Sequence, residues 1–195
     1  MTPRDVLKLC DQKQVQFVDL RFMDFPGLWQ HTTLPINELT LERSAQLINK
    51  SNQFNLTTIR RSAAEVAGLM DDVGWITRTV SLKDRFGDSG LISVVLAKVD
   101  GERMEIDTWL MSCRVLKRNV ERLLLNEICA AAGDRGVKRI VGRYVPTAKN
   151  GLVKDHYGDL GFSLIEEMES GEKIYGLDVA GFTAGETFIR VEQTA

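Results

Sequence analysis

The residues whose types and spacing suit chemistry best lie in one run, Met111-Ser112-Cys113-Arg114-Val115-Leu116-Lys117-Arg118-Asn119-Val120. It follows a strand-like stretch, Ile106 to Leu110. It opens a helical pattern, Val115 to about Ala132, with Val120, Leu123, Leu124, Ile128 and Ala131 on one face and Gly133 as a stop. A strand that turns into a helix leaves the helix's first backbone N–H groups without partners at its positive dipole end, which makes a site for an anion. Met111, Cys113, Arg114, Lys117, Arg118, Asn119 and Val120 are the candidate contacts. Two readings of the cations stand here: Arg114, Lys117 and Arg118 either touch phosphate or form an ordinary solvated helix start.

Other reactive types also carry two readings each. Cys113 is an acyl-accepting nucleophile or, with no histidine near it in sequence to activate it, a packed thiol. Asp84, Asp88 and Asp107 are bases or substrate contacts, or else turn and strand-surface residues. With His31 and His156 the two histidines of the chain, a metal site built on imidazole is not expected.

These groups need elements to position them. Thr2 and Pro3 start a short helix to about Gln14, and Val15 to Phe22 alternates into a hairpin through Asp24-Phe25-Pro26-Gly27, returning over Leu28 to Leu34. Leu41 to Lys50 has helical spacing, and Ser62 with Glu65 is a capping box for a helix to about Met70. Strands follow at Trp75 to Leu82, Leu91 to Val99 and Arg103 to Leu110, then a strand at Val137 to Tyr144, a helix at Ala148 to Tyr157 and a strand at Phe162 to Glu167. The glycine-rich tail after Gly171 has no clear pattern beyond an edge strand at Thr187 to Val191. Helices, an antiparallel meander and then βαβαβ describe an α/β protein, an α+β arrangement with a mixed sheet.

Composition narrows the function classes. The 195 residues carry a net charge of -2, so no basic field supports nucleic-acid binding. No run reaches the roughly 18 apolar residues of a membrane span, and the N-terminus lacks a secretory pattern. Cys10, Cys113 and Cys129 fit neither a disulfide framework nor a zinc knuckle, so a cytoplasmic location is expected.

Two resemblances emerge. The run Phe17-Val18-Asp19-Leu20-Arg21-Phe22-Met23-Asp24-Phe25-Pro26-Gly27-Leu28-Trp29-Gln30-His31 resembles the start of the small N-terminal β-grasp domain of bacterial glutamine synthetases, over about Thr2 to Leu39. That family's catalytic sites lie mostly in a much larger domain, so glutamine synthesis is not expected. Gln46-Leu47-Ile48-Asn49-Lys50-Ser51-Asn52-Gln53-Phe54-Asn55, Asp84-Arg85-Phe86-Gly87-Asp88-Ser89-Gly90, Glu105-Ile106-Asp107-Thr108-Trp109-Leu110-Met111-Ser112-Cys113-Arg114 and Val145-Pro146-Thr147-Ala148-Lys149-Asn150 resemble, in order, the C-terminal acetyltransferase-like (GNAT-like) domain of FkbH-like proteins of polyketide biosynthesis. The chain thus divides at residues 1–40 and 41–195.

The second resemblance implies a thioester-handling acyltransferase fold, with coenzyme A or the phosphopantetheine of a carrier protein as cofactor and an acyl carrier protein or acyl-CoA as partner. It implies a strand pair that splays near Leu110 and Arg143 to admit the pantetheine arm. Tyr157, before Gly161-Phe162, aligns with a tyrosine that protonates the leaving thiolate in many acetyltransferases, or it is core; Asp107 is the accompanying catalytic candidate. Asn150 either meets a pantetheine amide or caps its helix. Lys117 and Asn119 replace loop glycines of the family, so their side chains either crowd the phosphate or bind it. Three function classes follow: a transferase moving an acyl group, a docking module for a phosphopantetheine arm, and a structural fusion that self-associates through the N-terminal hairpin.

Overall fold

The computed structural model describes residues 31–34, 37–84, 87–116, 118–187, 189, 191 and 192. The helix and most of the hairpin read before residue 31 lie outside them, as does Lys117. Among the described residues eight strands form one mixed sheet: β1 (His31–Leu34), β2 (Trp75–Asp84), β3 (Gly87–Asp100), β4 (Arg103–Met111), β5 (Arg139–Tyr144), β6 (Ser163–Glu167), β7 (Lys173–Asp178) and β8 (Val191–Glu192), in the order β6-β7-β5-β4-β3-β2-β1-β8. β4 and β5 are parallel, as are β1 and β8, and the other neighbours are antiparallel.

Several sequence expectations change. The strand β7, in the tail left without a pattern, inserts between β5 and β6, so β6 reaches the sheet only through β7. Its sequence, KIYGLD, shows no strict alternation because Tyr175 and Gly176 are buried next to each other on a strand covered unevenly. The edge strand expected at Thr187 to Val191 is the two-residue β8. The helix expected over Ala148 to Tyr157 breaks into a 3-10 turn, Gly151–Val153, and the single turn α4 (His156–Asp159). Asn150 spends its side chain on neighbouring loops, as described below, and so makes no side-chain cap.

Two layers of helix cover the sheet. Asn37, not Leu41, begins α1 (Glu38–Lys50): its Oδ1 accepts from the Thr40 N–H while Thr40 Oγ1 accepts from the Asn37 N–H. Ser62 and Glu65 cap α2 (Ala63–Met70) by the same reciprocal bonds, as their spacing predicts. Both pack on one face of the sheet, around Ile48, Val66, Val94, Leu96 and Leu110. The 15-residue α3 (Val120–Asp134) covers the other face with Val120, Leu124, Ile128 and Ala132. β3 is buried on both sides, Val94 and Leu96 facing α1 and Val95 and Ala97 facing α3. Among the described residues no helix is long and apolar enough to cross a membrane.

A bulge in β4 sets the geometry of the cleft. Leu96 pairs with Thr108 and Ala97 with Ile106, so Asp107 is the extra residue. Met104 and Ile106 face α3; the insertion shifts the alternation by one, so Trp109 and Met111 also face α3 and Leu110 turns to the other face. The bulge is held from outside the strand: Thr57 Oγ1 donates to the Asp107 carbonyl oxygen at 2.7 Å, and Arg61 donates to both carboxylate oxygens at 2.8 and 2.9 Å.

On β5, Gly142 lies flat beneath the ring of Tyr157, where a Cβ would come within 2.3 Å of a ring carbon. A methyl group gains strand propensity worth about 0.5–1 kcal/mol, but overpacking costs about 1–3 kcal/mol and the fully buried ring has little room to retreat. Gly142→Ala therefore lowers stability, with a lower urea midpoint and an unchanged m-value; a midpoint at or above the parent's contradicts this packing.

Candidate functional site

The parallel pairing of β4 with β5 runs from Arg103↔Arg139 to Ile106↔Gly142 and stops. Past that point the strands part, and residues 54–56 enter the gap. The Leu56 N–H donates to the Trp109 carbonyl and the Met111 N–H to the Phe54 carbonyl, both at 3.2 Å, while the Val145 N–H donates to the Leu56 carbonyl at 2.8 Å. The segment thus supplies both strands with the partners they lose by parting.

Two buried asparagines hold this wedge. Asn55 Oδ1 accepts from the Thr58 N–H at 2.8 Å and its Nδ2 donates to the Ser51 carbonyl at 3.3 Å. Asn150 Nδ2 donates to the carbonyls of Asn55 and Val145 at 3.0 and 2.9 Å, and its Oδ1 accepts from the Thr147 N–H at 2.7 Å. Asn150 therefore fastens the wedge to the end of β5, and its amide is committed. Thr58 takes the left-handed conformation at φ 57, costly for a β-branched residue, and the surrounding bonds enforce it.

Behind the wedge lies an aromatic floor. The His156 ring sits edge-on to Phe54 at 4.9 Å and to Trp109 at 4.6 Å, and 5.5 Å from Tyr157, which touches Phe162 and Tyr175 at 5.0 and 5.6 Å. Trp109 is wholly buried, and Tyr157 and His156 are 1% and 8% exposed. Trp109 Nε1, His156 Nε2 and the Tyr157 hydroxyl are buried without a hydrogen-bond partner among the described residues. Burial pushes Tyr157 well up, against the Arg143 backbone, which lies near the hydroxyl without hydrogen-bond geometry and acts to lower it, and burial drives His156 down to about 3. Buried polar atoms without protein partners cost stability unless water or a ligand meets them.

Two cavities flank Phe54, which lines both. The first, about 220 Å³, lies between the start of α3 (Leu116, Asn119, Glu121, Arg122) and the segment after β5 (Leu152, Val153, His156, Asp159, Leu160). The second, about 730 Å³, is lined by Lys50, Asn52, Gln53, Met111, Cys113 and Lys149, with four smaller or less polar neighbours.

The candidates read from sequence divide between these places. Asn119 lines the first cavity, and Val120 begins α3 beside it; Arg118 is exposed just ahead, and the backbone of Arg114 lies in the 3-10 turn Cys113–Val115. That turn corrects the helix expected from Val115. Leu116 is extended, Asn119 is left-handed at φ 64, and helical bonding starts only at Val120 and continues past Gly133 to Asp134. Met111 and Cys113 line the second cavity. Cys113 is exposed, not packed, whereas the thiol of Cys129 is buried and pushed up to about 12. Asp107 lines neither cavity, its carboxylate being held by Arg61 and Thr108. Asp88 closes a turn by accepting from the Gly90 N–H at 2.7 Å, and the side chain of Asp84 is outside the described residues. No cluster suited to a metal ion occurs among the described residues.

Sequence reading gave no role to Phe54, Trp109 or His156. Their signal was adjacency: Phe54 sits in the amide-rich stretch, Trp109 two residues past Asp107, and His156 beside Tyr157.

Comparisons with known proteins bear on the fold. No family model matches the chain. The GNAT domain of S. lividans PAT superimposes with a TM-score of 0.58 over 75% of this chain and 89% of that one, at 20% identity. A PaiA N-acetyltransferase from Thermoplasma acidophilum, solved with coenzyme A, gives 0.59 over 77% and 99%, at 13%. The chain has a GNAT acetyltransferase fold. Separately, it is 47% identical over 38 residues to a glutamine synthetase of Microchaete diplosiphon, matching 20% of this chain and spanning about 8% of that relative's length.

The buried imidazole has a consequence for stability. In the unfolded chain His156 takes up a proton near its ordinary 6.5, while in the folded protein it stays neutral until about pH 3. Protons therefore favour the unfolded state throughout that interval, and stability falls as the pH drops through it, by up to about 1.4 kcal/mol per unit. Urea denaturation from pH 7.5 to 5 is expected to show this slope, and His156→Gln is expected to flatten it; an equal slope in both proteins refutes the assignment.

Proposed function

We propose that the chain is an acyltransferase-type domain that takes an acyl group from a thioester, with the donor's pantetheine arm entering the 220 Å³ cavity between the start of α3 and α4. One observation carries this reading: β4 and β5 separate beyond Ile106 and Gly142, and an accessible cavity beside the start of α3 adjoins the buried polar groups at the separation. An N–H-bearing helix start favours a phosphate or pyrophosphate there. Asn119 and Arg118 are placed beside it, with Arg114 just upstream. The donor is coenzyme A or the phosphopantetheine of a carrier protein, and the block resemblance to FkbH-like domains favours glyceryl or a related acyl group of polyketide-type biosynthesis.

In the transfer, the acceptor's lone pair attacks the thioester carbonyl and the C–S bond breaks. The Tyr157 hydroxyl gives its proton to the leaving thiolate, and the proton lost by the acceptor restores the phenol. Burial raises Tyr157, which makes a phenol a poor acid in isolation. The same desolvation raises a thiolate's proton affinity, so the two remain matched. His156 of the floor lines the first cavity while Tyr157 is buried beside it, so side chains around Tyr157 have to yield for the thioester to reach its hydroxyl.

A second reading, a docking module without catalysis, is favoured by that same seal over Tyr157. Two variants separate them. Replacing Arg114 and Arg118 together with Ala is expected to weaken coenzyme A binding at least about tenfold, the loss of one to two charge-assisted contacts. Tyr157→Phe is expected to keep that affinity and lower turnover. Calorimetric titration with coenzyme A and with holo carrier protein, followed by a transfer assay, decides. Binding without Tyr157-dependent turnover selects the docking module, and no binding of either ligand leaves only a structural role.

A further inference from the structure

The second cavity differs from the first in the sign of its lining. The first mixes Arg122 with Glu121 and Asp159. The second is lined by Lys50 and Lys149 with no carboxylate, in a chain whose net charge is -2. Neither lysine has an ion-pair partner among the described residues, whereas Lys138, Lys154 and Lys173 do. Lys50 also ends α1, where a cation offsets the helix dipole, but Lys149 lies in the loop after β5 and has no such reason to be there.

Neutral donors supplement the charge. Arg60 donates to Asn52 Oδ1 and to the Ser51 carbonyl, which occupies the amide's acceptor and leaves its N–H donors for another partner. The guanidinium itself adds a third cation close to the rim. Gln53 is exposed beside it, and a volume of about 730 Å³ suits a small ligand. Phe54 separates this space from the cavity given above to the thioester, so a molecule held here stands across the wedge from the acyl donor.

We propose that this cavity is a binding site for a small molecule bearing an anionic oxyacid group, phosphate or carboxylate, held between Lys50 and Lys149 with Asn52 and Gln53 as neutral donors. As the site of the acyl acceptor it rests on the acyltransferase reading; as an anion site it stands on its own lining.

Cys113 gives a direct readout, because it lines the same cavity and is exposed, while Cys129 is buried. On a Cys10→Ser background, the rate of Cys113 labelling by a thiol reagent is measured with O-phosphoethanolamine, β-alanine or ethanolamine, which share an amine and differ in the second group. At least one of the two anions is expected to slow labelling about fivefold once it exceeds its Kd several times, and ethanolamine is expected to leave it unchanged. Protection by only one anion identifies the source of the charge as phosphate or carboxylate. The double variant K50Q/K149Q is expected to lose the protection. Equal protection by all three amines, no protection by either anion at 10 mM-scale concentrations (on the order of the weak end of metabolite affinities), or protection that survives the double substitution overturns the proposal. Titration of the same sample with coenzyme A and with holo carrier protein keeps the two ideas apart: heat of binding from either with no anion protection removes this site alone, and anion protection without binding of either removes the thioester reading alone.

Discussion

Where the four-pair parallel ladder between β4 and β5 ends, both strands would face each other with backbone donors and acceptors and nothing to bond. Buried peptide groups without partners cost about 1–3 kcal/mol each, so a gap of this kind has to be filled or abandoned. This chain fills it with its own residues 54–56, and the filling dictates much that surrounds it. Asn55 and Asn150 are buried because the wedge needs side chains to hold it from both sides. Thr58 is strained because the chain must turn sharply out of the gap. Thr57 reaches the bulge at Asp107, which joins the wedge to the feature that turns Trp109 toward α3.

The wedge also divides space. Phe54 is the wall between a cavity next to α3 of mixed charge and a larger one of positive lining, and the orphaned groups of Trp109, His156 and Tyr157 lie sealed beside it. Such an arrangement concentrates polar groups where little surface is exposed. Electrostatic interactions there are stronger than at the surface, so the buried phenol keeps its proton and the buried imidazole stays neutral.

Much of the scaffold was legible. The Ser62 and Glu65 box, the three meander strands and the apolar face of α3 follow from local rules that tertiary packing did not override. The parting of the strands near Leu110 and Arg143 followed from resemblance, and the structure places the last pair at Ile106 and Gly142. What could not be read depends on partners far away in sequence. Lys173 to Asp178 carries no strict alternation because its faces are covered unevenly, and its place in the sheet comes from pairing with β5 and β6. Asn150 has the sequence look of a helix cap, and only its contact with Asn55 shows its actual employment. The start of α3 was misjudged because Val115 and Leu116 continue the apolar spacing of the helix while packing under it as a turn. Asp107 has the polarity of a catalytic residue and the position of a bulge, a distinction that strand pairing alone makes.

The bond between Asn150 and the carbonyl of Asn55 spans 95 residues of sequence. By contrast β2, β3 and β4 pair with immediate chain neighbours, and β5, β6 and β7 all lie within one short stretch. Closing a long loop is entropically slower than zipping adjacent hairpins, so the two halves of the sheet have local routes to form and the wedge does not. The cleft is then expected to form late, when two already structured halves meet. A substitution at Asn55 or Asn150 is then expected to act chiefly on the rate at which the finished molecule comes apart, leaving the early meander's rate of formation nearly untouched.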